Sequence, residues 1–225
     1  MSVTALQETY ENVENAFKEL LPPQSNADEW QNLLPLDVIV VANDDADFED
    51  FKRKWERFLE GLDQLWNRLN AFAKHHIDDH ETQSSVSGYL GNVNGQRIDD
   101  ELLVYLNKAR NSAHHTLWRH VRSAQEKEVV TDAKGVAIDV RTNEITIRSN
   151  SGGTVSEIAV LNEGAVLLKE VQVVEKGQKK TYFLPETHQG MTLYPMDRVL
   201  PQMIGKRGLL FYKEVLSSVV ERTMG

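Results

Sequence analysis

The sequence predicts an α+β fold, with an all-helical first half, residues 1–127, followed by a β-rich meander or small barrel with a closing helix, residues 128–225. Three observations predict it. Apolar residues recur at spacings of three and four through the first half; after residue 128 they fall into short β-type runs instead; and 40% hydrophobic with 26% charged residues is the composition of a chain that buries an ordinary core. At 225 residues the chain suits one large domain or two small ones.

Val3, Leu6, Tyr10, Val13, Phe17 and Leu20 form the stripe of a first amphipathic helix, stopped by Pro22-Pro23. Ser25 to Asp28 starts a short helical turn through Trp30, Leu33 and Leu34, which Pro35 ends. The run Leu36 to Val41 suits either a strand or a buried helix. Asn43 to Asp50 then supplies a cap and first-turn carboxylates for a long helix. Its stripe, from Phe48 and Phe51 through Trp55, Phe58, Leu62, Trp66 and Leu69 to Phe72, holds helical period for about seven turns, and its aromatic rings are expected in the core.

Residues 77–98 are rich in Ser, Gly and Asn without clear period and are expected to form a long surface loop. Asp99 caps a further helix, expected to run to about Ser123 on a stripe of Leu102, Leu103, Leu106, Ala113, Leu117 and Val121. Strands are expected at GVAIDV, EITIRS, TVSEIAVL and along AVLLKEVQVVEKGQKKTYFL, with Gly177 at a hairpin bend. Pro185 to Gly205 reads as mostly loop and Leu209 to Thr223 as the closing helix.

The net charge of −9 is unevenly spread. Residues 1–100 hold 8 basic and 20 acidic side chains, residues 101–128 hold 5 and 3, and the remainder 12 and 11. Broad nucleic-acid binding by the first hundred residues is therefore disfavoured, while a local anion site after residue 100 is allowed. No apolar run approaches the ~20 residues of a membrane span. The first residues lack the basic and apolar regions of a signal peptide, and cysteine is absent, so the expected location is the cytoplasm and no membrane partner is expected.

The helix after Asp99 carries Arg110-Asn111-Ser112-Ala113-His114-His115. Arg110, Asn111 and His115 resemble the RNxxxH signature of the HEPN superfamily, and the resemblance extends by architecture over roughly residues 1–127. It implies a helical bundle, homodimerisation and metal-independent RNA cleavage without a cofactor. Cleavage of that kind needs a base for the ribose 2′-hydroxyl, an acid for the leaving 5′-oxygen and a cation for the phosphorane, roles that suit His115 and Arg110. One histidine per site does not easily fill both proton roles, so two copies meeting at a two-fold axis are expected, with Asn111 orienting His115 or the phosphate. On a continuous helix Asn111, His115, Trp118 and Arg122 project within about 60° of one another, away from the apolar stripe. His114, Arg119 and Arg122 are then candidate phosphate contacts and Trp118 a stacking platform for a base.

Two other readings of the motif stand beside catalysis: a HEPN-like scaffold that binds nucleic acid or a partner without cutting, and a solvated face in which Arg110 pairs with an acidic residue of a neighbouring helix. A toxin or phage-defence role is what many relatives of the superfamily suggest, with a protein regulator bound through the β-rich half.

His75, His76 and His80 have metal-ligand chemistry but lack a third fixed ligand, and no metal is expected there. Ser151 to Thr154 reads as a turn rather than a phosphate cradle. Lys176, Lys179 and Lys180 cluster at the hairpin tip, either simply solvated or in contact with RNA or a partner. The signatures of nucleotide hydrolysis, dinucleotide redox chemistry, the serine elbow and zincin proteolysis are absent.

Overall fold

The computed structural model describes residues 1–112, 116–119, 129–130, 136–139, 144–148, 154–155 and 165–224. The fold is α+β, with N-terminal helices, then small antiparallel strands, then a C-terminal helix. Helix α1 (Val3–Lys18) starts at Ser2, whose hydroxyl accepts the Ala5 N–H, and α2 (Asp45–His75) starts at Asp44, whose carboxylate accepts that of Asp47. Between them lie two 3₁₀ turns, Ala27–Asn32 and Pro35–Val38.

The expected loop over 77–98 is instead helix α3 (His80–Asp99), capped by Asp79 through the Thr82 N–H at 2.7 Å. Its only buried residues are Val86, Leu90 and Val93, so its apolar stripe is one side chain wide, too weak to be seen against its Ser, Gly and Asn content. Helix α4 (Glu101–Asn111) follows at once, capped by Asp100 rather than Asp99. It does not continue to Ser123. Ser112 turns extended at ψ 97°, and Leu117–Arg119 forms strand β1.

β1 pairs antiparallel with β6 (Val166–Leu168), whose other edge meets the run that suited either strand or helix: the Val166 N–H bonds the Val40 carbonyl, and Val41 bridges Ala165. Ala165 to Leu168 are buried, which explains why this pairing overrides helix continuation after Asn111. Strands β2 (Val129–Val130), β3 (Val136–Asp139), β4 (Glu144–Arg148) and β5 (Thr154–Val155) form an antiparallel meander in chain order. β7 (Val171–Glu175) and β8 (Gln178–Tyr182) form the expected hairpin, with Lys176 and Gly177 both at positive φ, as a two-residue type I′ turn requires.

The segment read as loop before the closing helix holds β9 (Thr187–His188), β10 (Met191–Thr192) and the short helix α5 (Pro195–Val199), and helix α6 begins already at Pro201 and ends at Met224. α6 is a core helix. Gly205 lets it approach so closely that a Cβ there would lie 3.1 Å from the Phe58 ring and 3.2 Å from that of Phe17. Gln202 donates to the Leu20 carbonyl at 3.1 Å and Lys206 to that of Leu33 at 2.9 Å. One apolar cluster runs from Leu6 of α1 to Val219 of α6 through the aromatic stripe of α2, where Trp55 and Phe58 are fully buried. No helix among the described residues is long and apolar enough to cross a membrane.

The start of α4 is clamped by the β9–β10 hairpin. Asp100 receives the Gln189 N–H at 2.6 Å and faces His188 Nδ1 at 3.0 Å, while Glu101 receives the Glu186 and Thr187 N–H groups. Burial alone would raise the Asp100 carboxyl, but its bonds from His188, Gln189 and Leu103 outweigh burial and hold it below the usual carboxylate value. A depressed folded-state value means that the clamp stabilises fully above the unfolded value near 3.8 and is lost as pH falls through the folded one. Thermal melts between pH 6 and 3 are therefore expected to fall more steeply for the wild type than for Asp100→Asn.

Candidate functional site

Arg110 and Asn111 occupy the last turn of α4, where carbonyls lose their helical partners and a cation is favoured by the helix dipole. The Arg110 side chain is 39% exposed and is held from two sides. Its Nη2 lies 3.1 Å from Asp63 Oδ2 of α2, and its Nη1 donates to Asn111 Oδ1 at 3.2 Å. Asn67 donates to the same Asp63 oxygen at 2.9 Å, and Asn111 donates to Asn107 at 3.1 Å. The two motif residues are thus coupled to each other, and the arginine meets an acidic residue of a neighbouring helix.

Beneath Arg110 is a cavity of about 20 Å³, the room of a single water, floored by Leu59, Leu62, Leu103 and Leu106. Asp63, Asn107, Arg97 and Tyr212 complete its rim. Arg97 donates from Nε to the Tyr212 hydroxyl at 2.8 Å and lies 4.2 Å over the Trp66 ring. Burial pushes the Tyr212 phenol up, against the pull of Arg97, so it stays protonated at neutral pH. Arg97 and Arg110 therefore line one cavity with Asp63, and Arg110 alone pairs with its carboxylate.

His114, His115 and Arg122 lie outside the described residues, and for Trp118 and Arg119 the backbone is described, in β1. The single helical face expected to carry Asn111, His115, Trp118 and Arg122 does not exist, because the helix ends at Asn111 and Trp118 belongs to a strand. The residues on both sides of 113–115 are anchored. The Ser112 N–H bonds the Lys108 carbonyl; Thr116, buried, accepts the Trp55 indole N–H at 3.1 Å and takes the Lys169 N–H on its carbonyl at 3.0 Å.

Asp63, Asn67, Arg97 and Tyr212 were not legible as site residues. Asp63 and Asn67 share only the i,i+4 spacing of a polar helix face, and Arg97 sits in the stretch that reads as loop. On the opposite side of α4, Lys108 bonds Glu175 of β7 and lies 5.0 Å over the Tyr182 ring of β8. Lys108, Tyr182 and Lys180 together pull the Glu175 carboxyl down to about 2, so it is ionised throughout the neutral range. His76 Nδ1 contacts the Met1 amine at 2.6 Å, and no group of three metal-ligating side chains converges among the described residues. Comparison with family models, with curated proteins and with solved structures finds no match for this chain.

Proposed function

We propose that this chain is a metal-independent endoribonuclease of HEPN type, acting as a homodimer in the cytoplasm, with Arg110, Asn111 and His115 as its catalytic group. The observation that best supports this reading is the coupling of Arg110 to Asn111 on the exposed last turn of α4, with Asp63 bracing the guanidinium from behind. A braced, half-open guanidinium is preorganised for charge that develops on a phosphorane.

In the proposed step His115 takes the proton of the ribose 2′-hydroxyl while the 2′-oxygen bonds to phosphorus. The bond from phosphorus to the 5′-oxygen breaks, and that oxygen takes a proton from a second His115, supplied by the other copy. The products are a 2′,3′-cyclic phosphate and a free 5′-hydroxyl. Arg110 stabilises the intermediate charge and Asn111 orients His115 or the phosphate, with His114, Trp118, Arg119 and Arg122 assigned to the RNA. A toxin or phage-defence setting and a protein regulator on the β-rich half belong to the same reading.

The Asp63–Arg110 ion pair favours a second reading, a non-catalytic HEPN-like scaffold that binds nucleic acid or protein, because a paired guanidinium presents a weaker positive field. Incubating the pure protein with total RNA and tRNA in EDTA separates the two. Cutting that leaves 2′,3′-cyclic ends is expected; intact RNA from a dimeric sample would move the assignment to the scaffold.

A further inference from the structure

We propose that the β7–β8 hairpin and the polar arc of the last turn of α4 form one track for the phosphate backbone of a single-stranded RNA. This rests on RNA being the partner, as proposed above, though not on its being cut. At 100° per residue, Lys108, Asn111, Asn107 and Arg110 follow one another over about 160° of the last turn of α4, from the hairpin side at Lys108 to the α2 side at Arg110, with the buried Leu103 one turn earlier between Asn107 and Arg110. That arc consists of cations and amides and contains no carboxylate, which suits phosphate oxygens and carries no base readout.

The hairpin continues the arc at Lys108. Its tip places Lys176 and Lys179 in solvent without an ion pair among the described residues; Lys180 lies on the Glu175 face of the hairpin and Lys179 on the opposite face, so the lysines wrap the tip. A type I′ turn and the tie from Lys108 to Glu175 present these lysines on a stiff support, so little order must be imposed when a ligand binds. Both carboxylates along the path, Glu175 and Asp63, are already engaged by cations of the track itself. Five cations against two carboxylates make a local surplus of positive charge on a chain of net charge −9. A polyanion repelled by the net acidity of residues 1–100 is steered to this place.

The experiment uses full-length His115→Ala protein, so that no probe is consumed, with a labelled uridine 20-mer at several salt concentrations. Adding Lys176→Glu and Lys179→Glu is expected to weaken binding about tenfold or more and to lower the slope of log K against log salt by about 1.4, the share of two phosphate contacts on a single strand. The pair Lys52→Glu and Lys54→Glu on α2 serves as the control and is expected to leave the slope unchanged. Equal affinity and slope in the hairpin variant, or displacement of the RNA by polyglutamate at equal charge concentration, would overturn the track, the second outcome pointing to an acidic protein segment. If the otherwise wild-type enzyme cuts RNA with the same kcat/KM whether or not the hairpin lysines are reversed, the track fails while the ribonuclease reading stands. Lysine-dependent binding by a protein that never cuts sustains the track and removes the catalysis.

Discussion

Replacing His115 by alanine is expected to lower the rate of RNA cleavage by about 10²- to 10⁴-fold, the usual share of a positioned general acid or base. The loss is expected to fall on kcat, because in the proposed step the imidazole acts on protons in transit and contributes little to holding the substrate. The pH profile carries a second, independent signature. The proposed mechanism needs one neutral and one protonated His115 in a dimer, so the wild-type rate is expected to rise and fall about a neutral optimum, and the alanine variant to lose both limbs. Equal residual activity in wild type and variant would mean that the cutting belongs to a contaminant. Arg110→Lys is a useful companion, since it preserves charge but removes the planar fork that reaches Asp63 and Asn111 together.

Trp55→Ala is expected to cost about 3–5 kcal/mol of folding stability, the range for removing a large buried aromatic side chain. Trp55 is fully buried, stacks obliquely on Phe58 at 5.7 Å, and donates its indole N–H to Thr116. The substitution leaves a cavity in the middle of the helical core and strips the buried Thr116 hydroxyl of its donor. Trp55→Phe refills most of the space and removes the donor alone, for an expected cost of about 1–3 kcal/mol. Urea unfolding of the three proteins measures both differences, and near-equal midpoints for all of them would show that the core relaxes around the loss. Because Thr116 adjoins His115, the Phe variant also links stability to the site: RNA cleavage is expected to fall further than fold occupancy alone accounts for.

Much of this molecule was legible before its structure. The periods of α1 and α2, a cap for α2 within the acidic stretch Asn43 to Asp50 and the bend at Gly177 follow from local rules, because each depends on residues within one or two turns of chain. The burial of the α2 aromatics follows as well, since seven turns of unbroken stripe have no other use in water. The pair Arg110–Asn111 could be picked out because, with His115, it resembles the RNxxxH signature. Its partner Asp63 could not, because nothing about one carboxylate on a polar helix face distinguishes it from the next.

The sequence by itself therefore determined the α+β class, the two long early helices and the stiff hairpin, all of them products of short-range stereochemistry and apolar period. Tertiary structure alone decided the rest. Residues 80–99 became a helix because three apolar side chains found a core to enter, although Gly, Ser and Asn lower their intrinsic tendency. α4 stopped at Asn111 because Leu117–Arg119 gains more by pairing with the buried β6 than by extending a helix into the same space. Such choices set a local preference of tenths of a kcal/mol per residue against burial worth about 1.5–3 kcal/mol per side chain. Burial wins, and whether it is on offer depends on segments far away in the chain.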